Sequence, residues 1–252
     1  MIDLTPVIRF ALLLVRPGMI VMVAPVLGGT FAPPQIKIGL TVLLALALAP
    51  SVAVPTAADD VSLALLVARE MVIGLSIAFV VRALIAGAEL AGHLSGFQIG
   101  FAYAATIDPV SGVRNTVITS LYGLLALLAL FAINGHHELL RALALSYDRL
   151  PIGAGQLDGA LPNLVRQVFA LVFTVGARLA APIVIVLLIV ELAVGLISRA
   201  APALNFMIVG YPLRLLIGVA VLALMIAAVP SVVASLANRT IELGLELAAV
   251  FR

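Results

Sequence analysis

Of the 252 residues, 64% are hydrophobic and 10% are charged, and the mean hydropathy is +1.28. Soluble domains hold about 45–50% apolar and about 25% charged residues, so one soluble core cannot hide this excess. The composition excludes an ordinary cytosolic enzyme, a disordered chain and a nucleic-acid binder; it leaves a polytopic membrane protein of roughly five to seven helices with short loops.

The net charge is only +2 although the pI is near 9.4, so the basic pI says little about anionic partners. Cysteine is absent, which removes disulfides and thiol chemistry, and tryptophan is absent too, which leaves a thin aromatic belt. Thirteen arginines stand against one lysine, which with the Ala, Val and Leu content fits a GC-rich bacterial genome. Met1-Ile2-Asp3 does not open a signal peptide, so the first hydrophobic segment is expected to stay in the mature chain.

In chain order, Pro17 to Ile36 is uncharged but holds four prolines and the pair Gly28-Gly29, which predicts a broken or kinked helix. Ile38 to Ala58 is long enough to span, with Pro50 and Pro55 ending its helix early. Val61 to Ala86 is apolar apart from Arg69, Glu70 and Arg82. Gly87 to Asn115 is small and polar for a lipid-facing span. Asn115 to Ile133 is a clean span. His136 to Asn163 is the most polar stretch, with turn signals at Pro151, Gly153, Gly155 and Pro162. Leu164 to Ser198 is apolar around Arg166, Gln167, Arg178, Pro182 and Glu191. Leu215 to Asn238 is uncharged, and Arg239 to Arg252 reads as an amphipathic helix.

The pattern predicts an all-α integral membrane protein of about six hydrophobic segments, of which about three are clean. The rest are pierced by ionisable residues, each costing at least about 2.5–3.5 kcal/mol at mid-bilayer. Two readings stay open: the charges snorkel to an interface, or these helices face protein or water. Arg69, Arg82, Glu89, Arg178, Glu191, Arg199 and Arg214 favour the second as a set. A faint echo between Pro34–Pro50 and Pro212–Pro230 is closer to chance than to a repeat.

Catalytic chemistry has no legible signature. His93, His136 and His137 are the only histidines, and no Ser/His/Asp set or phosphate loop is present. No cofactor, metal or catalytic residue is assigned. Between Gly87 and Asn115, Gly92, Gly96, Gly100 and Ala104 recur every four residues and form one small-residue ridge suited to helix packing. Glu89, His93 and Phe97 form a second stripe. Asp108-Pro109 and Ser111-Gly112 then signal a turn. An ordinary tight helix contact and a pore-adjacent hairpin are both open.

Several stretches together carry a resemblance. They are Arg16, Pro25-Val26-Leu27-Gly28 and Pro34-Gln35-Ile36-Lys37; then Ala91-Gly92, Gly96-Phe97-Gln98-Ile99-Gly100 and Asp108-Pro109; then Gly135-His136, Leu139-Leu140, Ser146 and Pro151-Ile152-Gly153. The most distinctive are Gly195 to Arg199, Ala201-Pro202, Leu204-Asn205-Phe206 and Gly210-Tyr211-Pro212-Leu213-Arg214. In order and spacing they resemble, along nearly the whole chain, the export-gate family of flagellar FliR and its virulence type III secretion relatives. Ala203 departs from a common Gln, and Tyr211 from a common Phe.

The resemblance implies one export-gate membrane domain over residues 1–252, in the bacterial inner membrane at the flagellar basal body. It implies a fused FliP-like plus FliQ-like unit of broken helical hairpins, assembled with FliP and FliQ into a helical channel for unfolded flagellar subunits. FlhB and FlhA family proteins, membrane lipid and secreted cargo are the further partners; nucleic acid is not one. A plug or lumen loop is mapped to residues 97–115, with Phe97, Gly100, Phe101, Tyr103, Asp108, Pro109 and Gly112. An inter-subunit contact is mapped to Glu191, Arg199, Pro202, Asn205, Pro212 and Arg214, with Pro202 and Pro212 fixing a turn and the arginines pairing with a neighbour's acids or with Glu191. The alternatives are an injectisome homologue and, from another class, a small-solute secondary transporter.

Overall fold

The computed structural model describes residues 5–29, 32–55, 60–101, 117–153, 161–200 and 206–249. Among these residues all regular structure is helical. The helices are α1 (Thr5–Val23), α2 (Pro25–Gly28), α3 (Pro34–Leu48), α4 (Asp60–Ile99), α5 (Val117–Ala132), α6 (Gly135–Arg149), α7 (Leu161–Ala200), α8 (Phe206–Ile226) and α9 (Val229–Ala249). The chain is an all-α membrane protein. Three helices are long and apolar enough to cross a bilayer, or up to five spans if each of two bent pairs counts as one. Six hydrophobic segments do not become six straight spans, because α3 has only 15 residues and two of the passages are bent helix pairs, α5 with α6 and α8 with α9.

Local sequence explains most boundaries. Pro17 lies inside α1 without ending it, and the expected break falls later, at Ala24 before Pro25. Pro25 and Pro34 each stand at the start of a helix, where a missing N–H costs nothing. α3 stops at Leu48, two residues before Pro50. Asn134 takes a left-handed conformation (φ 58°) between α5 and α6, a geometry Asn tolerates better than most residues. α6 itself was not foreseen, since its charged residues mask the apolar stripe of Leu139, Ala142, Leu143, Ser146 and Tyr147 that it buries.

The chain forms two compact units. The first comprises residues 1–83, 130–169 and 236–252, and it holds α1, α2, α3, α6, the first part of α4 and most of α9. Its core includes Leu12, Leu13, Ile20, Ile73, Leu139 and Leu143. The second comprises residues 84–129 and 170–235 and holds the rest of α4, most of α5 and α7, and α8. Its core includes Leu84, Ile99, Tyr122, Ile183 and Leu187.

Candidate functional site

Within the first unit a charged cluster is sealed in the core. Arg16 of α1 is 0% exposed and Glu70 of α4 is 1% exposed. Gly74 lies one turn from Glu70 on the same face of α4, and a Cβ there would stand 2.7 Å from the Arg16 carbonyl. The bare glycine therefore lets the α1 backbone approach α4 closely enough for the side chains to meet. Arg16 Nε donates to Glu70 Oε2 at 2.8 Å and Nη2 donates to Glu70 Oε1 at 3.0 Å, a bidentate pair.

α6 completes the cage. Arg16 Nη1 donates to Ser146 Oγ at 2.9 Å, and Nη2 also donates to the Leu150 carbonyl at 3.0 Å. That carbonyl lies at the C-terminal end of α6, where helix carbonyls lack intrahelical partners and the helix dipole is negative. The Arg16 guanidinium also lies over the Tyr147 ring, 4.0 Å from its centroid. Tyr147 reaches back to α1, its hydroxyl donating to the Leu13 carbonyl at 3.2 Å. The cluster is neutral overall, and its charges are spent on one another. It is equipped to hold three helices together rather than to move a substrate. Arg16 and Ser146 were noticed in the sequence only as part of a pattern, and Glu70 only as a charge in an apolar run. Tyr147 was missed, for no local signal links it to Leu13, 134 positions away.

In the second unit the sequence-singled ridge on α4 is divided among neighbours. At Gly92 a Cβ would stand 2.6 Å from Thr119 Cα, so α5 lies backbone against backbone there. Gly96 is buried, and its carbonyl accepts the N–H groups of Gly100 (3.2 Å) and Phe101 (3.0 Å). Gly100 N–H is shared with the Phe97 carbonyl at 3.1 Å. This pattern closes α4 as a Schellman motif, with Gly100 at φ +108°, where a side chain would be strained. A Schellman closure usually packs the residue at the Phe101 position against the one at Gly96. Glycine offers nothing to pack, and Phe101 is left exposed, as is Phe97 at 72%.

α8 grips this helix end instead. Tyr211 lies against Gly100, and a Cβ at Gly218 would meet Ile99 Cγ1 at 2.7 Å. Residues 211, 214 and 218 share one face of α8, and Arg214 between them pairs with Glu191 of α7. Arg199 is exposed in the last turn of α7. Pro212 lies inside α8 rather than in a turn, because α8 already begins at Phe206. Tyr103, Asp108, Pro109, Gly112, Pro202 and Asn205 lie outside the described residues. Among the described residues no three His, Cys, Asp or Glu side chains gather as a metal site.

Comparison with known proteins gives one consistent result. The family "Bacterial export proteins, family 1" matches residues 7–240. The chain is 32% identical over 215 residues to the flagellar biosynthetic protein FliR of Escherichia coli (strain K12), covering 83% of this chain and 81% of that protein. It is 29% identical over 250 residues to the protein of the same name in Bacillus subtilis (strain 168), covering 96% and 94%. To the Caulobacter vibrioides protein of that name it is 30% identical over 227 residues, covering 88% and 90%.

Proposed function

The chain belongs to the bacterial export proteins, family 1, and to the FliR proteins within it, and from that premise we propose how it works as a membrane component of the flagellar export apparatus. It forms, with FliP-like and FliQ-like subunits, the inner-membrane channel through which unfolded flagellar subunits leave, next to FlhB and FlhA family proteins. The whole chain acts as one export-gate unit; the family match runs through both compact units. Its role is transport, without catalysis or a cofactor of its own.

The observation that carries the reading is the near full-length match, on a fold that is wholly helical among its described residues. The lengths of α4 and α7 support it. At 1.5 Å per residue, each 40-residue helix runs about 60 Å, twice the hydrocarbon thickness of about 30 Å. Such helices suit a gate built of hairpins packed on neighbours better than a bundle confined to the bilayer.

In this reading residues 97–115 form the plug or lumen loop, and it departs from the α4 end that α8 grips. Replacing residues 102–113 with a shorter Gly-Ser segment is expected to raise small-ion leakage through the assembled gate; unchanged leakage removes the plug assignment. The surface around Glu191, Arg199, Pro202, Asn205, Pro212 and Arg214 meets a neighbouring subunit.

Native mass spectrometry of the tagged chain, co-expressed with its neighbouring secretion genes, tests the whole. The expected result is one copy within a larger complex with FliP-like and FliQ-like proteins. A lone homo-oligomer formed while those partners are present would move the assignment to a solute transporter.

A further inference from the structure

α5 and α6 pass as a membrane span only when taken together, and they are bent by 68° at the break between them. Their chemistry is unequal. α5 carries no charged residue in 16, whereas α6 carries Glu138, Arg141, Asp148 and Arg149 in 15. We propose that α6 is no limb of a span but lies outside the hydrocarbon as a water-facing helix, clasped to the fold by the Arg16–Glu70 cluster.

Three observations carry this. The first is which face is already taken. Leu139, Ala142, Leu143, Ser146 and Tyr147 are buried, and Ser146 and Tyr147 among them engage Arg16. Most of the apolar stripe is used up inside the first unit; of the large apolar side chains of α6, Leu145 alone is exposed, at 37%. The second is the opposite face, where Arg141, Ala144, Leu145 and Asp148 follow the i, i+3, i+4, i+7 spacing and are all exposed, with Arg149 beside them, so two of its four positions are charged. Arg141 has its side chain 71% exposed and meets Glu138 only at 3.7 Å. This is a solvated pair rather than a desolvated one.

The third observation is length. Fifteen residues rise about 22 Å, less than the hydrocarbon thickness of about 30 Å. Set across the bilayer, α6 would hold all four charges within the apolar layer. Snorkelling towards one surface would leave those at the other end behind, since Glu138 and Arg149 are about 16 Å apart along the axis. Laid outside, the helix keeps each charge in water, and the left-handed Asn134 marks where the chain turns from span to surface.

The chain has no cysteine, so a single introduced thiol is its only one. Ala144→Cys and Asp148→Cys are placed one at a time in the full chain, expressed with its export partners. Leu128→Cys, at an exposed apolar position of α5, is the comparison. Each is treated with a membrane-impermeant maleimide in spheroplasts and in inverted membrane vesicles. Labelling of both α6 thiols is expected roughly tenfold or more faster than Leu128→Cys, in one preparation only. That result also tells which side of the membrane the Asn134 turn occupies. The proposal is overturned if both α6 thiols label no faster than Leu128→Cys in either preparation yet react fully once unfolded in detergent, whether lipid or a partner covers them.

Discussion

At the scale of single residues, Arg16 is the side chain whose loss should be felt most. It is fully buried and tied to Glu70, Ser146, Leu150 and Tyr147. Removing one partner of a buried pair leaves the other charge stranded, at a cost of about 3–5 kcal/mol. Arg16→Ala and Glu70→Ala should each lower the unfolding temperature of the detergent-solubilised complex sharply. The double change Arg16→Met with Glu70→Leu should lose less than either, because no charge is then left unpaired. A double variant as unstable as the sum of the two would show that the residues act independently, with no coupling across the pair. The sequence displayed Glu70 as a charge within an apolar run and Arg16 only as part of a motif pattern. It could not name the partner, because the pairing is fixed by Gly74 letting α1 approach and by Ser146 arriving from a distant helix.

At the scale of helices, the glycines differ in what an added methyl group would meet, and so in what their replacement should cost. Gly92→Ala should destabilise by about 1–3 kcal/mol, since the new methyl meets the α5 backbone, which cannot rotate away. In the isolated chain, Gly195→Ala and Gly39→Ala meet nothing within 4 Å and should be neutral, or stabilising by about 0.5–1 kcal/mol through helix propensity. Gly218→Ala is intermediate, because it presses on the Ile99 side chain; adding Ile99→Ala should recover part of its loss. Thermal unfolding of the four variants checks the order. The four-residue spacing of Gly92, Gly96 and Gly100 was plain in the sequence. That the ridge serves different neighbours, α5 at Gly92 and α8 at Gly100, was not. The α6 helix stayed hidden for a related reason: its polar face dominates a composition window, while the residues it buries line up only when placed on a helical wheel.

At the scale of the whole molecule, the fold class followed from composition, while the number of spans did not. Apolar runs report where lipid is tolerated, and α4 shows that one helix can continue past its apolar run into the small, polar stretch that follows. The export role was legible from the order of many weak motifs, and the family match spans residues 7–240. Arg199 provides the test at this scale. It is exposed at the end of α7, so its loss should cost the isolated chain little. If its surface meets another subunit, Arg199→Ala should reduce co-purification of the FliP-like and FliQ-like proteins while membrane insertion of the chain stays normal. Undiminished co-purification would remove Arg199 from the contact.

The wide separation of Arg16 from its partners also has a meaning in time. Synthesis proceeds at about 5–20 residues per second, N-terminal end first. Glu70 is made 54 residues after Arg16, a delay of roughly 3–11 s, and Ser146 follows 130 residues after Arg16. During that interval Arg16 is a cation without its carboxylate partner, and the core that later seals it is not yet made. The first helix is therefore least able to settle when it is newest, and it gains its resting place only as later helices emerge. A nascent chain cut short before Glu70 should leave α1 loosely held and open to proteolysis, and one extended past Leu150 should not.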